Sequence, residues 1–147
     1  MNKWYSLILF LPLYLQGGAG KYAPANQRGE IPDYLLGRFR DDYGITYTIT
    51  RDYFLQEPSW KYHILKYDST GSYFIVRNDK GNDWEPGKYS RIDISLLTGN
   101  GKYTWAYCLT TFDAATAAEA ETKAKPNRDN LKKGCGGFPF SRMSRIR

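Results

Sequence analysis

The sequence predicts a mainly β chain folded as a small antiparallel up-and-down β-barrel, with one short α-helix before the last strand. Three observations predict it. Aromatic residues make up 16% of the 147 residues, 13 of them tyrosines, and many fall in runs that alternate apolar with polar side chains. Polar turns separate those runs at short intervals. One alanine-dense stretch, free of glycine and proline, comes late in the chain. Six or seven strands joined by short turns over about 110 residues fit a small barrel better than a sandwich with Greek-key crossovers. Adjacent hairpins give the up-and-down order.

The chain opens with Lys3, an apolar stretch from Trp4 to Leu15 interrupted by Pro12, and then Gln16, Gly17, Gly18, Ala19 and Gly20. A short basic start, an apolar run too brief to cross a bilayer and a small-residue exit describe a secretory signal peptide over residues 1–20. An uncleaved anchor is the alternative. Residues 21–34 are expected to form a flexible N-terminal segment, 35–143 a single barrel domain and 144–147 a basic tail. The expected product is secreted or periplasmic, monomeric and without a transmembrane span once the signal is removed.

Ile45 to Thr50 is the clearest strand: Ile45, Tyr47 and Ile49 share one face and three threonines the other. Lys61 to Tyr67 and Ser72 to Asn78 flank the turn Asp68-Ser69-Thr70-Gly71 and read as a hairpin. The next segment, Asp79 to Gly87, is too polar and too rich in glycine and proline for regular structure. Lys88 to Leu96 returns as a strand in which Ser90, Ile92 and Ile94 alternate with Tyr89, Arg91 and Asp93. After the turn Thr98-Gly99-Asn100-Gly101, the longest candidate runs from Lys102 to Phe112. Its odd positions carry Tyr103, Trp105, Tyr107 and Leu109, with Cys108 on the opposite face.

Residues 113–124 form the predicted helix, with Thr116 and Glu119 spaced as a capping box, Asp113 as an alternative N-cap and Pro126 as the stop. Its small side chains suit a helix lying against the sheet. Export places Cys108 and Cys135 where thiols are oxidised, so one disulfide is expected. Closing that loop stabilises the fold by about 3 kcal/mol in the chain-entropy model. The bond would bring a last strand, within Gly134 to Met143, close to the Tyr103 to Phe112 strand.

No catalytic set is evident, and the chain is not expected to be an enzyme. His63 is the only histidine, which argues against a zinc site or a histidine-based triad, and no metal or cofactor is assigned. The loop carrying Asp79, Asn82, Asp83 and Glu85 has oxygen ligands enough for calcium, but not in EF-hand order, and reads as a solvated turn. Arg77, Arg91, Asp93 and Asp113 are candidates for an ion-pair cluster, expected to be structural. The formal net charge is +6, and basic residues concentrate late: Lys123, Lys125, Arg128, Lys132, Lys133, Arg142, Arg145 and Arg147. Such a surface suits anionic envelope polymers, lipid head groups or acidic proteins; nucleic acid is not expected, because no DNA- or RNA-binding motif is present.

Gly37-Arg38-Phe39 opening the first strand, the late helix, and Arg142 near the last strand resemble the lipocalin-like (calycin) barrels. In that family a Gly-x-Trp motif begins the barrel and an arginine packs over the tryptophan; here Phe39 stands in the tryptophan's place. The helix start and the Gly-Cys-Gly-Gly-Phe ending also resemble small secreted bacterial proteins of unassigned function. The lipocalin resemblance implies a binding module for a small apolar ligand inside the barrel, or for a protein at its open end. Tyr47, Tyr73, Tyr103, Trp105 and Tyr107 are the candidate ligand-binding residues, although such side chains usually fill a small barrel. The alternative is an envelope-associated interaction or inhibitor protein that docks through loops and a basic C-terminal region.

Overall fold

A computed structural model describes residues 29–147. The expected signal peptide and most of the expected flexible segment lie outside the described residues. The elements are β1 (Gly37–Asp41), β2 (Thr46–Ile49), β3 (Tyr53–Gln56), β4 (Trp60–Asp68), β5 (Tyr73–Asn78), β6 (Tyr89–Leu96), β7 (Trp105–Ala114), α1 (Ala117–Thr122) and β8 (Ser141–Arg145). Each strand pairs antiparallel with the next, and β8 pairs back onto β1, so the eight strands close into an up-and-down barrel.

The barrel has one strand more than the highest number expected. The addition is β3, whose four residues Tyr53-Phe54-Leu55-Gln56 carry apolar side chains on both faces and so lack the alternation that marks β2. A turn built on Thr50 separates the two strands: its Oγ1 accepts hydrogen bonds from the backbone N–H of Asp52 and Tyr53. β7 begins at Trp105, which leaves Tyr103 in the preceding turn. β8 extends to Arg145, so Ser144 and Arg145 are strand residues and not part of a tail.

The period-2 pattern sorts each wall. Phe39, Tyr47, Ile49, Phe54, Tyr62, Ile64, Tyr67, Phe74, Val76, Ile92, Ile94, Trp105 and Met143 form the buried interior. In this topology the β1–β2, β3–β4, β5–β6 and β7–β8 connections gather at one end, here called the mouth. The opposite end is closed by a 3-10 turn, Asp33–Leu35, whose Leu35 is buried with Ile31 in the same core, so these residues are not a flexible lead-in.

Arg145 seals that closed end. Its guanidinium lies 4.8 Å from the Phe39 ring centroid, and the Phe39 ring meets Trp105 edge-on at 5.1 Å. Its Nη1 donates to the Leu36 carbonyl at 2.8 Å, and its Nη2 to the Asp33 and Tyr34 carbonyls, both at 3.2 Å. The arginine of the last strand that packs on the opening motif is therefore Arg145 and not Arg142. Arg142 points outward, where it pairs with Asp42 at 2.9 Å. Gly37 makes room for the packing: its φ is 124°, and a Cβ there would lie 2.5 Å from Arg145 Nη1.

The outer wall of β5, β6 and β7 is covered by residues 115–140. α1 packs there through Ala117 and Ala120, beside Tyr73, Ile75, Tyr89 and Ala114. Thr116 is its N-cap, accepting from Glu119 N at 3.1 Å, while Glu119 Oε2 accepts from Ala115 N; Asp113 pairs instead with Lys123. The helix is shorter than its expected span because β7 runs on to Ala114. The disulfide Cys108–Cys135 is present, with its Cα atoms 5.5 Å apart. Cys135 lies in the covering segment and not in the last strand, so the bond fastens the cover to β7 beside Leu97, Leu131 and Phe140.

Phe39→Ala is expected to lower unfolding free energy by about 3–5 kcal/mol, because the void falls between Arg145 and Trp105. Gly37→Ala, strained in φ and crowded by Arg145, is expected to cost about 1–3 kcal/mol. Urea unfolding of the two variants measures both.

Candidate functional site

The two halves of the interior differ. Around Phe39, Trp105, Phe74 and Val76 the side chains are 0% exposed, so they border neither solvent nor a void large enough for water. Nearer the mouth, Tyr107, Leu109, Ile45 and Trp60 pack against the same core but are only partly buried, as is Leu36 beside the 3-10 turn at the closed end.

A hydrogen-bonded chain sits in that second half. Alternation from Phe39 turns Asp41 inward, where it is buried at the end of β1. Its Oδ1 accepts from the backbone N–H of Tyr43 and Ile45, which fixes the β1–β2 turn. Its Oδ2 accepts from the Tyr47 hydroxyl at 2.9 Å. The Tyr47 and Tyr107 oxygens are 2.9 Å apart. With the Tyr47 proton directed at the carboxylate, Tyr107 is the donor of that bond. Phe54 meets both rings edge-on, at 5.8 Å from Tyr47 and 5.4 Å from Tyr107, and Tyr62 packs against Phe54 at 6.4 Å. Burial pushes the Tyr107 phenol up to about 12 and raises Tyr47 and Tyr62 above the ordinary tyrosine value. The site is thus an aromatic wall with neutral hydroxyls, suited to binding and orientation.

The mouth is bordered by the β5–β6 loop. Asn78 Nδ2 donates to the Glu85 and Phe112 carbonyls, and Asn82 forms two hydrogen bonds with the backbone of Lys61. Trp84, held by this loop, stacks on Phe112 at 4.3 Å. Part of the loop expected to be a solvated turn is therefore a clamp, with Asn82 buried. Asp79 is spent on Gly81 N and on His63 at 2.6 Å. Among the described residues, no group of three or more His, Cys, Asp or Glu side chains is gathered to hold a metal ion.

Of the five candidate ligand residues, Tyr47 and Tyr107 come together, and Trp105 lies in the sealed half beside Phe39. Tyr73 faces outward, under the Arg91 guanidinium at 3.9 Å. Tyr103 lies beneath Arg142 at 4.8 Å, outside the barrel. Asp41, Phe54 and Tyr62 were not among the candidates. The legible signal for Asp41 was its two-residue offset from Phe39 together with its place at the head of a turn.

The expected ion-pair cluster forms in part. Asp93, 0% exposed on the outer wall of β6, receives Arg91 through two bonds of 2.8 Å, Arg128 at 2.9 Å and Thr110 Oγ1 at 2.5 Å. Arg128 also donates to the Gly71 and Ser72 carbonyls, and Arg91 to that of Glu121. Arg77 and Asp113 do not join it: Arg77 reaches the Gly87 carbonyl. The network ties the cover to the barrel and has no arrangement for turnover.

A scan against protein-family models and searches of curated proteins and of solved structures find no match for this chain.

Two outcomes test these networks. Asp93→Ala leaves Arg91 buried without its partner and is expected to cost about 3–5 kcal/mol in urea unfolding, more than Arg128→Ala. In alkaline titration followed by tyrosinate absorbance, Tyr107→Phe is expected to remove one phenol that ionises late. Because folding raises this pKa, its contribution to stability is complete below pH about 10 and is lost as pH rises from there through about 12.

Proposed function

We propose that the protein is an exported, lipocalin-like binding module that holds a small apolar ligand at the mouth of its barrel. The observation that carries this reading is the fixed pair of tyrosine hydroxyls among aromatic rings toward the mouth, where Tyr107, Leu109, Ile45 and Trp60 are only partly buried. A ligand with an apolar body and one hydrogen-bonding group would lie against Phe54, Tyr62 and Leu109 and meet Tyr107. The closed eight-stranded barrel and the packing of Arg145 on Phe39 support the lipocalin-like assignment. The disulfide supports secretion or a periplasmic location.

A second reading is docking of a protein or an anionic envelope component on the loops. Tyr43 and Trp84, in the β1–β2 and β5–β6 connections, expose 63% and 45% of their surface at this end, more than a solvated loop requires.

Native mass spectrometry of protein purified from its own exporting cell tests the first reading, with release on unfolding of a co-purified small molecule as the expected result. Titration with an anilinonaphthalene dye and a competing long-chain alcohol, whose hydroxyl can donate to Tyr107, extends it. Tyr107→Ala is expected to weaken dye binding about tenfold, whereas Trp105→Ala lowers stability without that selective loss. A bare mass together with no dye binding would overturn the ligand reading.

A further inference from the structure

A second apolar surface lies outside the barrel. Leu97, Leu131, Pro139 and Phe140 line a groove of about 290 Å³ on the outer wall, with Asp42, Lys132 and Arg142 as its charged lining. It exists because the small cluster of Ala106, Cys108 and Phe140, fastened by the disulfide, is only partly roofed by Leu97 and Leu131. Next to Pro139, Phe138 exposes 73% of its surface, the most of any large apolar side chain among the described residues.

Positive charge exceeds negative around the groove, where Lys132 and Arg142 face a single carboxylate, Asp42. The Tyr103 ring carries two cations, the Lys102 ammonium 5.3 Å from its centroid and the Arg142 guanidinium at 4.8 Å. Asp42 takes the Arg142 Nε proton and the Arg142 backbone N–H, so the carboxylate of this surface is already engaged. Among the described residues, the lysines that form ion pairs are Lys66 and Lys123, and not Lys102 or Lys132. A second copy of the chain is a poor occupant, since a self-complementary contact would set these lysines against each other in a protein of net charge +6. An apolar anchor flanked by carboxylates satisfies both the floor and the rim.

We propose that this groove is a docking site for an acidic segment of a partner protein, with one Leu, Phe or Trp side chain seated on Leu97, Leu131 and Phe140 and its flanking carboxylates on Lys102 and Lys132. Neither Tyr43 nor Trp84 lines this surface. It stands independently of a ligand at the mouth, because the two sites share no residue.

The test uses the disulfide-bonded protein and synthetic peptides in which one Leu, Phe or Trp is flanked on both sides by Asp and Glu, with amide chemical shifts as the readout. Binding is expected to move the amides of Leu97, Leu131 and Phe140, to weaken with salt, and to weaken about tenfold or more in the double variant Lys102→Glu/Lys132→Glu. Both substitutions are at exposed side chains, and unchanged shifts elsewhere would establish that the fold is kept. Tyr107→Ala should leave peptide binding unaltered, which separates this site from the mouth. No binding by any peptide of the panel, shifts centred on the mouth, or an affinity indifferent to charge reversal would each overturn the proposal. So would sedimentation with vesicles of anionic phospholipid in the absence of peptide binding, which would assign the surface to lipid.

Discussion

Closure of the barrel rests on a short seam. β1 and β8 meet over three register pairs, Phe39 with Arg145, Arg40 with Ser144 and Asp41 with Met143. A ladder that short is a weak fastening in water, and the side chains at the seam supply what it lacks. Arg145 stands opposite the ring that it covers and also binds three carbonyls around the 3-10 turn, so one residue joins the last strand, the first strand and the segment before it. The inside and outside of every strand, and the difference between a sealed end and a mouth, follow from that closure.

A narrow ring encloses few residues, and this chain buries a second and a third apolar cluster outside its wall. The cover over them has one short helix and little ladder of its own. Attachments of different kinds hold it, among them the covalent bond from Cys135 to β7 and the reach of Arg128 into buried Asp93 and the β4–β5 turn. Asp93 is a buried charge whose cost is offset only because two guanidiniums and a hydroxyl surround it, which makes the position of the cover specific as well as stable.

Legibility in the sequence tracked how much of each feature is local. β2 and β6 alternate, and the residues sharing each face could be named from spacing alone; Ser90, Ile92 and Ile94 do face in, and Arg91 and Asp93 do pair on the other side. The apolar run Tyr73 to Val76 of β5 gives no face, and Tyr73, expected inside, lies outside. β3 was not legible, because a four-residue strand with Leu55 on its outer face carries no alternation to find. The disulfide was legible from the cysteine count and the expected export, but not what it fastens, since that depends on a cover packed outside the barrel. In the candidate site, period-2 reading found Tyr47 and Tyr107 and wrongly extended the row to Tyr103, where the strand had not begun. Which of two nearby arginines covers Phe39 depended on β8 register, a property of strands far apart in the chain.

A ring of strands has no first or last member. An open sheet offers its unpaired backbone N–H and C=O groups to any extended chain, and many partners bind by adding a strand there. In this barrel no strand lacks a neighbour on either side, so there is no edge strand to extend. Whatever the protein meets must be read through side chains, on the wall or at the loops. The same completeness denies the chain a template for stacking with copies of itself, an advantage for a protein whose outer wall keeps apolar surface within reach of solvent.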